Sequence, residues 1–76
     1  TNIKFGLPSS GEVNISIYNI LGNEVWNYSK DHMESGYHTV RWRGMNDSGS
    51  KLSSGVYIIR LRSEKDIATR KVMFMK

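Results

Sequence analysis

Seventy-six residues, 38% of them hydrophobic, are enough for one domain with one modest core, since a chain this short buries only about 60% of the surface its unfolded form exposes. A two-domain enzyme is excluded, and with no cysteine in the chain so are disulfide staples and thiolate metal sites. The apolar runs are too short for a membrane-crossing helix, which needs about 20 residues. The net charge of +4 and pI near 9.6 raise a nucleic-acid reading, but the acids Glu12, Glu24, Asp31, Glu34, Asp47, Glu64 and Asp66 are interspersed. The cations Arg60, Arg62, Arg70, Lys71 and Lys76 gather near the end of the chain, where they read as a solvated strand surface that resists aggregation. The opening Thr1, in place of Met, leads us to expect one piece of a longer polypeptide.

Ile3, Phe5 and Leu7 alternate with Lys4 and Gly6, which predicts a half-buried strand ending at Pro8. Residues 8–11 form a turn. Val13, Ile15 and Ile17 then point one way and Asn14, Ser16 and Tyr18 the other, a strand with one dry face. Asn19, Ile20, Leu21, Gly22 and Asn23 make a short connection in which Gly22 or Asn23 supplies a positive φ, and Val25, Trp26 and Tyr28 open the second arm of a hairpin. Residues 30–36, with Met33 as their one large apolar side chain, read as a connecting loop.

Residues 37–42 form the fourth strand, with His38, Val40 and Trp42 on one face and Tyr37, Thr39 and Arg41 on the other. Gly44, Asn46, Asp47, Ser48 and Gly49 are turn formers whose Asx side chains can accept from downstream amides. Leu52 falls in a very short strand before Ser53, Ser54 and Gly55. Residues 56–62 are β-branched, aromatic and apolar enough for a central strand, 63–66 turn, and 67–75 close the sheet. Tyr57, Ile59, Leu61, Val72 and Phe74 are expected to face inward. The helical pattern over 21–34 is broken by Gly22, Asn23, Asn27 and Ser29. Six or seven short strands at this spacing predict an all-β, immunoglobulin-like antiparallel sandwich, with no internal repeat evident.

Catalysis needs convergent groups, and His32 and His38 have no partner pattern around them. His38, on the inner face, reads as a hydrogen-bonded structural histidine. Asn46, Asp47, Ser48, Gly49 and Ser50 offer oxygens to calcium, but one carboxylate is few for that ion, so an Asx turn with a left-handed glycine is the reading. Trp26, Tyr28, Tyr37, Trp42 and Tyr57 could stack on sugar rings. Trp42 is better placed as a core indole whose N–H finds a carbonyl, which leaves Trp26 as the ring expected to be exposed. No cofactor is implied.

Trp42, Gly44, Asp47 and Gly49, followed by Leu52, Ser54, Gly55, Val56, Tyr57, Arg60 and Leu61, resemble the shared pattern of two groups of immunoglobulin-like modules. One is the C-terminal sorting domains of type IX (Por) secretion, the other the immunoglobulin-like domain of the flagellar hook-capping protein. Thr1, Ile3, Phe5, Leu7 and Pro8 are similar to the first strand of the sorting domains, Val13 to Val25 to their hairpin, Gly36, His38, Val40 and Trp42 to their fourth strand, and Lys71, Val72 and Lys76 to their basic tail. The resemblance implies a non-enzymatic module, residues 1–76, at the C-terminus of a longer exported protein. It would direct an upstream cargo domain through outer-membrane secretion proteins, passing the periplasm to the cell surface or medium, as a monomer that binds no nucleic acid. An edge strand extended by main-chain bonds, with cations steering toward an acidic surface, places recognition on Gly55, Tyr57, Arg60, Leu61, Lys71, Val72, Met73, Phe74, Met75 and Lys76. The alternative is a structural or adhesive accessory domain, hook-capping-like or carbohydrate-binding, retained on a secreted enzyme.

Overall fold

The computed structural model describes residues 1–64 and 67–74, with Ala68 and Arg70 as backbone. Among the described residues six strands follow in order: β1 (Asn2–Leu7), β2 (Gly11–Tyr18), β3 (Glu24–Met33), β4 (Gly36–Arg41), β5 (Gly55–Ser63) and β6 (Ile67–Phe74). All pairings are antiparallel. β1 and β4 form one sheet, and β3, β2, β5 and β6, in that order, form the other. The predicted immunoglobulin-like sandwich is what the chain adopts.

Its core is where the period-two alternation put it. Val13, Ile15 and Ile17 on β2 are fully buried, flanked by Ile3, Phe5 and Leu7 from β1, Tyr57 and Ile59 from β5, and Trp42. Burying each such aliphatic side chain contributes about 1.5–3 kcal/mol. Leu61, Val72 and Phe74 pack against this cluster, as expected, and so does Val40. Tyr37, Thr39 and Arg41 face out.

Two expectations are corrected. The stretch 30–36 is not a loop: β3 runs on to Met33, which is buried opposite Gly11. Pairing at Lys30 with Val13 and at Met33 with Gly11 carries the strand past the point where its side chains become polar, and the exposed Asp31 and His32 fall in the register irregularity between those two rungs. Trp26 is the second correction. A register irregularity between Ile17 and Tyr18 sets Trp26 opposite Ile17 and Tyr28 opposite Ile15. Directly opposed residues share a face, so Trp26 is half-buried at the core margin and stacks on Tyr28 with centroids 6.2 Å apart.

The opposite face of β2 and β3 is a polar ladder. Asn14 Nδ2 donates to Ser29 Oγ at 2.7 Å, Ser16 Oγ to Asn14 Oδ1 at 3.1 Å, and Asn27 Nδ2 to Ser16 Oγ at 3.0 Å and Glu24 Oε1 at 2.9 Å. Ser16 is only 6% exposed, and these bonds satisfy it where an unpartnered hydroxyl would be costly.

Candidate interaction surface

The segment between β4 and β5 carries the most conspicuous motif of the sequence, and the structure spends its residues on framework. Trp42, 1% exposed, donates its indole N–H to the Met45 carbonyl at 3.0 Å and packs its ring against Tyr57 and Phe74, each with centroids 5.3 Å away. Met45 bridges to Lys51, and Leu52 N–H donates to the Gly44 carbonyl. The expected short strand at Leu52 is therefore a single rung beside an isolated bridge.

Asn46 and Asp47 divide the remaining work. Asn46 Oδ1 accepts from the amides of Ser48 at 3.0 Å and Ser50 at 2.9 Å, fixing the predicted Asx turn. Asp47 faces the other way, onto β3. Its N–H donates to the Val25 carbonyl at 3.1 Å while its Oδ1 accepts the Asn27 N–H at 3.1 Å. One residue thus satisfies two outward-facing groups of an edge strand, as a neighbouring strand would, and so blunts an edge otherwise open to foreign pairing. Replacing Asp47 by Ala should cost about 1 kcal/mol, a fall in melting temperature of about 4–8 °C for a domain of this size. Asp47→Asn, which keeps the acceptor, should fall less; equal falls in the two variants would show that the Asn27 bond contributes nothing.

A second turn repeats this geometry. In both, the first Asn accepts on Oδ1 from the amides two and four residues on: Leu21 and Asn23 for Asn19, Ser48 and Ser50 for Asn46. In both, the first residue's N–H donates to the fifth residue's carbonyl, and the fourth residue's N–H to the first residue's carbonyl. In both, the fourth residue is a glycine in the left-handed region, Gly22 at φ 86 and Gly49 at φ 83. This is a three-residue hairpin loop closed by a left-handed glycine. The signal in the sequence is Asn-x-x-Gly followed by Asn or Ser, which occurs twice, a shared turn pattern of five residues rather than a repeat of the chain.

The ten residues expected to meet a partner do not share one surface. Tyr57, Leu61, Val72 and Phe74 face the core, with Tyr57 OH donating to the Ser53 carbonyl at 2.8 Å. Gly55 is half-buried where β5 begins. Arg60, Lys71 and Met73 are exposed, on the opposite face of the sheet. Met75 and Lys76 lie outside the described residues. A partner touching this region would therefore meet Arg60, Lys71 and Met73 and the outer edge of β6, with the other five described residues beneath them.

His38 is half-buried, donates from Nε2 to the Glu34 carbonyl at 2.6 Å and lies 5.7 Å from the Phe5 ring, the structural histidine expected. His32 is exposed beside Glu34. Among the described residues no three His, Cys, Asp or Glu side chains gather to hold a metal, and no helix is long and apolar enough to cross a membrane. The ring that faces solvent is Tyr37, 94% exposed, lying across the position where a Cβ on Gly6 would point.

Two sheets packed face to face, with a buried tryptophan between them at one end and an asparagine turn bonded to the edge of β3, define an immunoglobulin-like module. The family model described as the FlgD Ig-like domain matches residues 1–66, and the chain belongs to that family. A crystal structure of FlgD from P. aeruginosa superposes with a TM-score of 0.76 at 22% identity over 95% of this chain; at that identity it shows the fold alone. The chain spans 57% of that FlgD chain. No curated protein matches the sequence. The type IX sorting expectation is corrected by these findings: the family matched is the FlgD one, and the part of the resemblance that stands is the link to the hook-capping protein.

Proposed function

We propose that this chain is a non-catalytic structural module of the hook-capping kind, retained on an exported polypeptide and working by holding protein parts in a fixed arrangement. Membership of the FlgD Ig-like family supports the reading. The observation that carries it is the fate of the motif: the Trp42 indole, the Asn46 amide and the Asp47 carboxylate are all engaged with backbone groups, so the residues most reminiscent of a site are structural devices. The carbohydrate reading loses its main support, because Trp26 packs at the core margin rather than standing clear of it.

Intact-mass measurement of the mature parent polypeptide, together with its incorporation into the assembled structure, tests the proposal. The mature protein is expected to keep this 8.7 kDa segment, and deleting residues 1–76 should abolish incorporation. A mature protein that has shed the segment, or one that assembles normally without it, overturns the reading.

A further inference from the structure

The twin turns differ in what they show to solvent. Each closes through its first and fourth residues, and the two between them differ: Asp47, which bonds to β3, and Ser48 in one, Ile20 and Leu21 in the other. Ile20 is 76% and Leu21 81% exposed. The turn does not require them, since the same bonds form around a polar pair. Two adjacent aliphatic side chains standing in water at a hairpin tip are an unsatisfied apolar surface.

Beside them opens a shallow cavity of about 260 Å³, walled by Ile20, Val25, Leu52, Val56 and Tyr57. It falls below the roughly 300–1,000 Å³ of small-molecule sites, a size suited to one or two protein side chains. Thr1 and Phe74 lie at the same pole. Thr1 bonds through its amino group to the Trp42 carbonyl at 3.0 Å, Phe74 pairs with Gly55 of the cavity rim, and the Trp42 and Phe74 rings are 5.3 Å apart. Any polypeptide preceding Thr1 therefore joins next to the tip. The solved FlgD chain, of which this domain spans 57%, is an instance of a longer chain carrying such a module.

We propose that the Ile20–Leu21 tip and the cavity beside it seat an adjoining domain of the same polypeptide, which inserts an apolar side chain between Ile20 and Tyr57. The inference rests on the reading of this chain as a retained module of a longer protein. It fixes the orientation of the module relative to its neighbour, which a bare linker would leave free.

A photo-reactive benzoylphenylalanine placed at position 21 of the full-length polypeptide tests it. Cross-links are expected within the same polypeptide, to segments outside residues 1–76. Links to a second copy, to another protein or to none overturn the proposal. In parallel, Ile20→Ser combined with Leu21→Ser should speed protease cleavage at the junction by about tenfold, because cleavage follows the undocked population; an unchanged rate overturns the proposal. The cross-link map is read without any assembly assay, so this seat can fail while the structural role stands, and a dispensable domain would leave the map intact.

Discussion

Replacing Gly44 by alanine is expected to destabilise the domain by about 2–5 kcal/mol, combining a left-handed backbone penalty of about 1–2 kcal/mol with an overpacking penalty of about 1–3 kcal/mol. Gly44 is buried at φ 73, and a Cβ there would lie 2.5 Å from Cε1 and 2.7 Å from Cε2 of Phe74. The ring has little room to withdraw, being held against Trp42 at 5.3 Å and Tyr57 at 6.4 Å. Gly22 supplies the control. It has a similar φ of 86, but among the described residues no atom lies within 4 Å of its missing Cβ, so Gly22→Ala should cost only the backbone part, about 1–2 kcal/mol. Urea denaturation reads both as shifts in midpoint at constant slope. Equal shifts would mean that Phe74 does not close over the turn at Gly44.

Trp42→Ala should come close to unfolding the domain. Removing a buried tryptophan costs about 3–5 kcal/mol, against a total of about 4–11 kcal/mol expected for 76 residues. The indole joins three things that otherwise lie apart: the end of the two-stranded sheet, the Met45 carbonyl, and the rings of Tyr57 and Phe74 on the larger sheet. Trp42→Phe separates these roles. It retains an aromatic against Tyr57 and Phe74 but leaves the Met45 carbonyl without its donor, a loss of about 1–3 kcal/mol. Near-ultraviolet circular dichroism and thermal unfolding measure both. A phenylalanine variant as damaged as the alanine one would assign most of Trp42's contribution to the hydrogen bond rather than to packing.

The fold was legible where one face of a strand is dry. Val13, Ile15 and Ile17, or Tyr57 and Ile59, alternate because burial imposes a period of two, and that period survives in the sequence. It fails where a strand is wet on both faces, as at Lys30, Asp31 and His32, because main-chain pairing leaves no trace in side-chain chemistry. It fails again at Trp26, where one irregular step in the β2–β3 register decides which way an aromatic faces and no residue type announces the step. Trp42 was placed correctly with its carbonyl partner because a buried indole N–H must have one. The candidate surface was harder. Consecutive residues of a strand lie on opposite faces, so a recognition segment quoted as a run, 71–74 for example, mixes core and surface by construction. The edge-sealing bonds of Asp47 could not be read at all, since they join residues 20 and 22 positions apart that no local pattern connects.

The order of strand pairing sets how the chain must come together in time. β2 with β3 and β5 with β6 are hairpins that can zip locally, whereas β1 must wait for β4, with Thr1 meeting Trp42 across 41 positions. Such distant closure is paid in chain entropy before any contact rewards it. The segment that leaves the ribosome ahead of the others, with Ile3, Phe5 and Leu7 bare, is consequently the one that spends longest without shelter during synthesis.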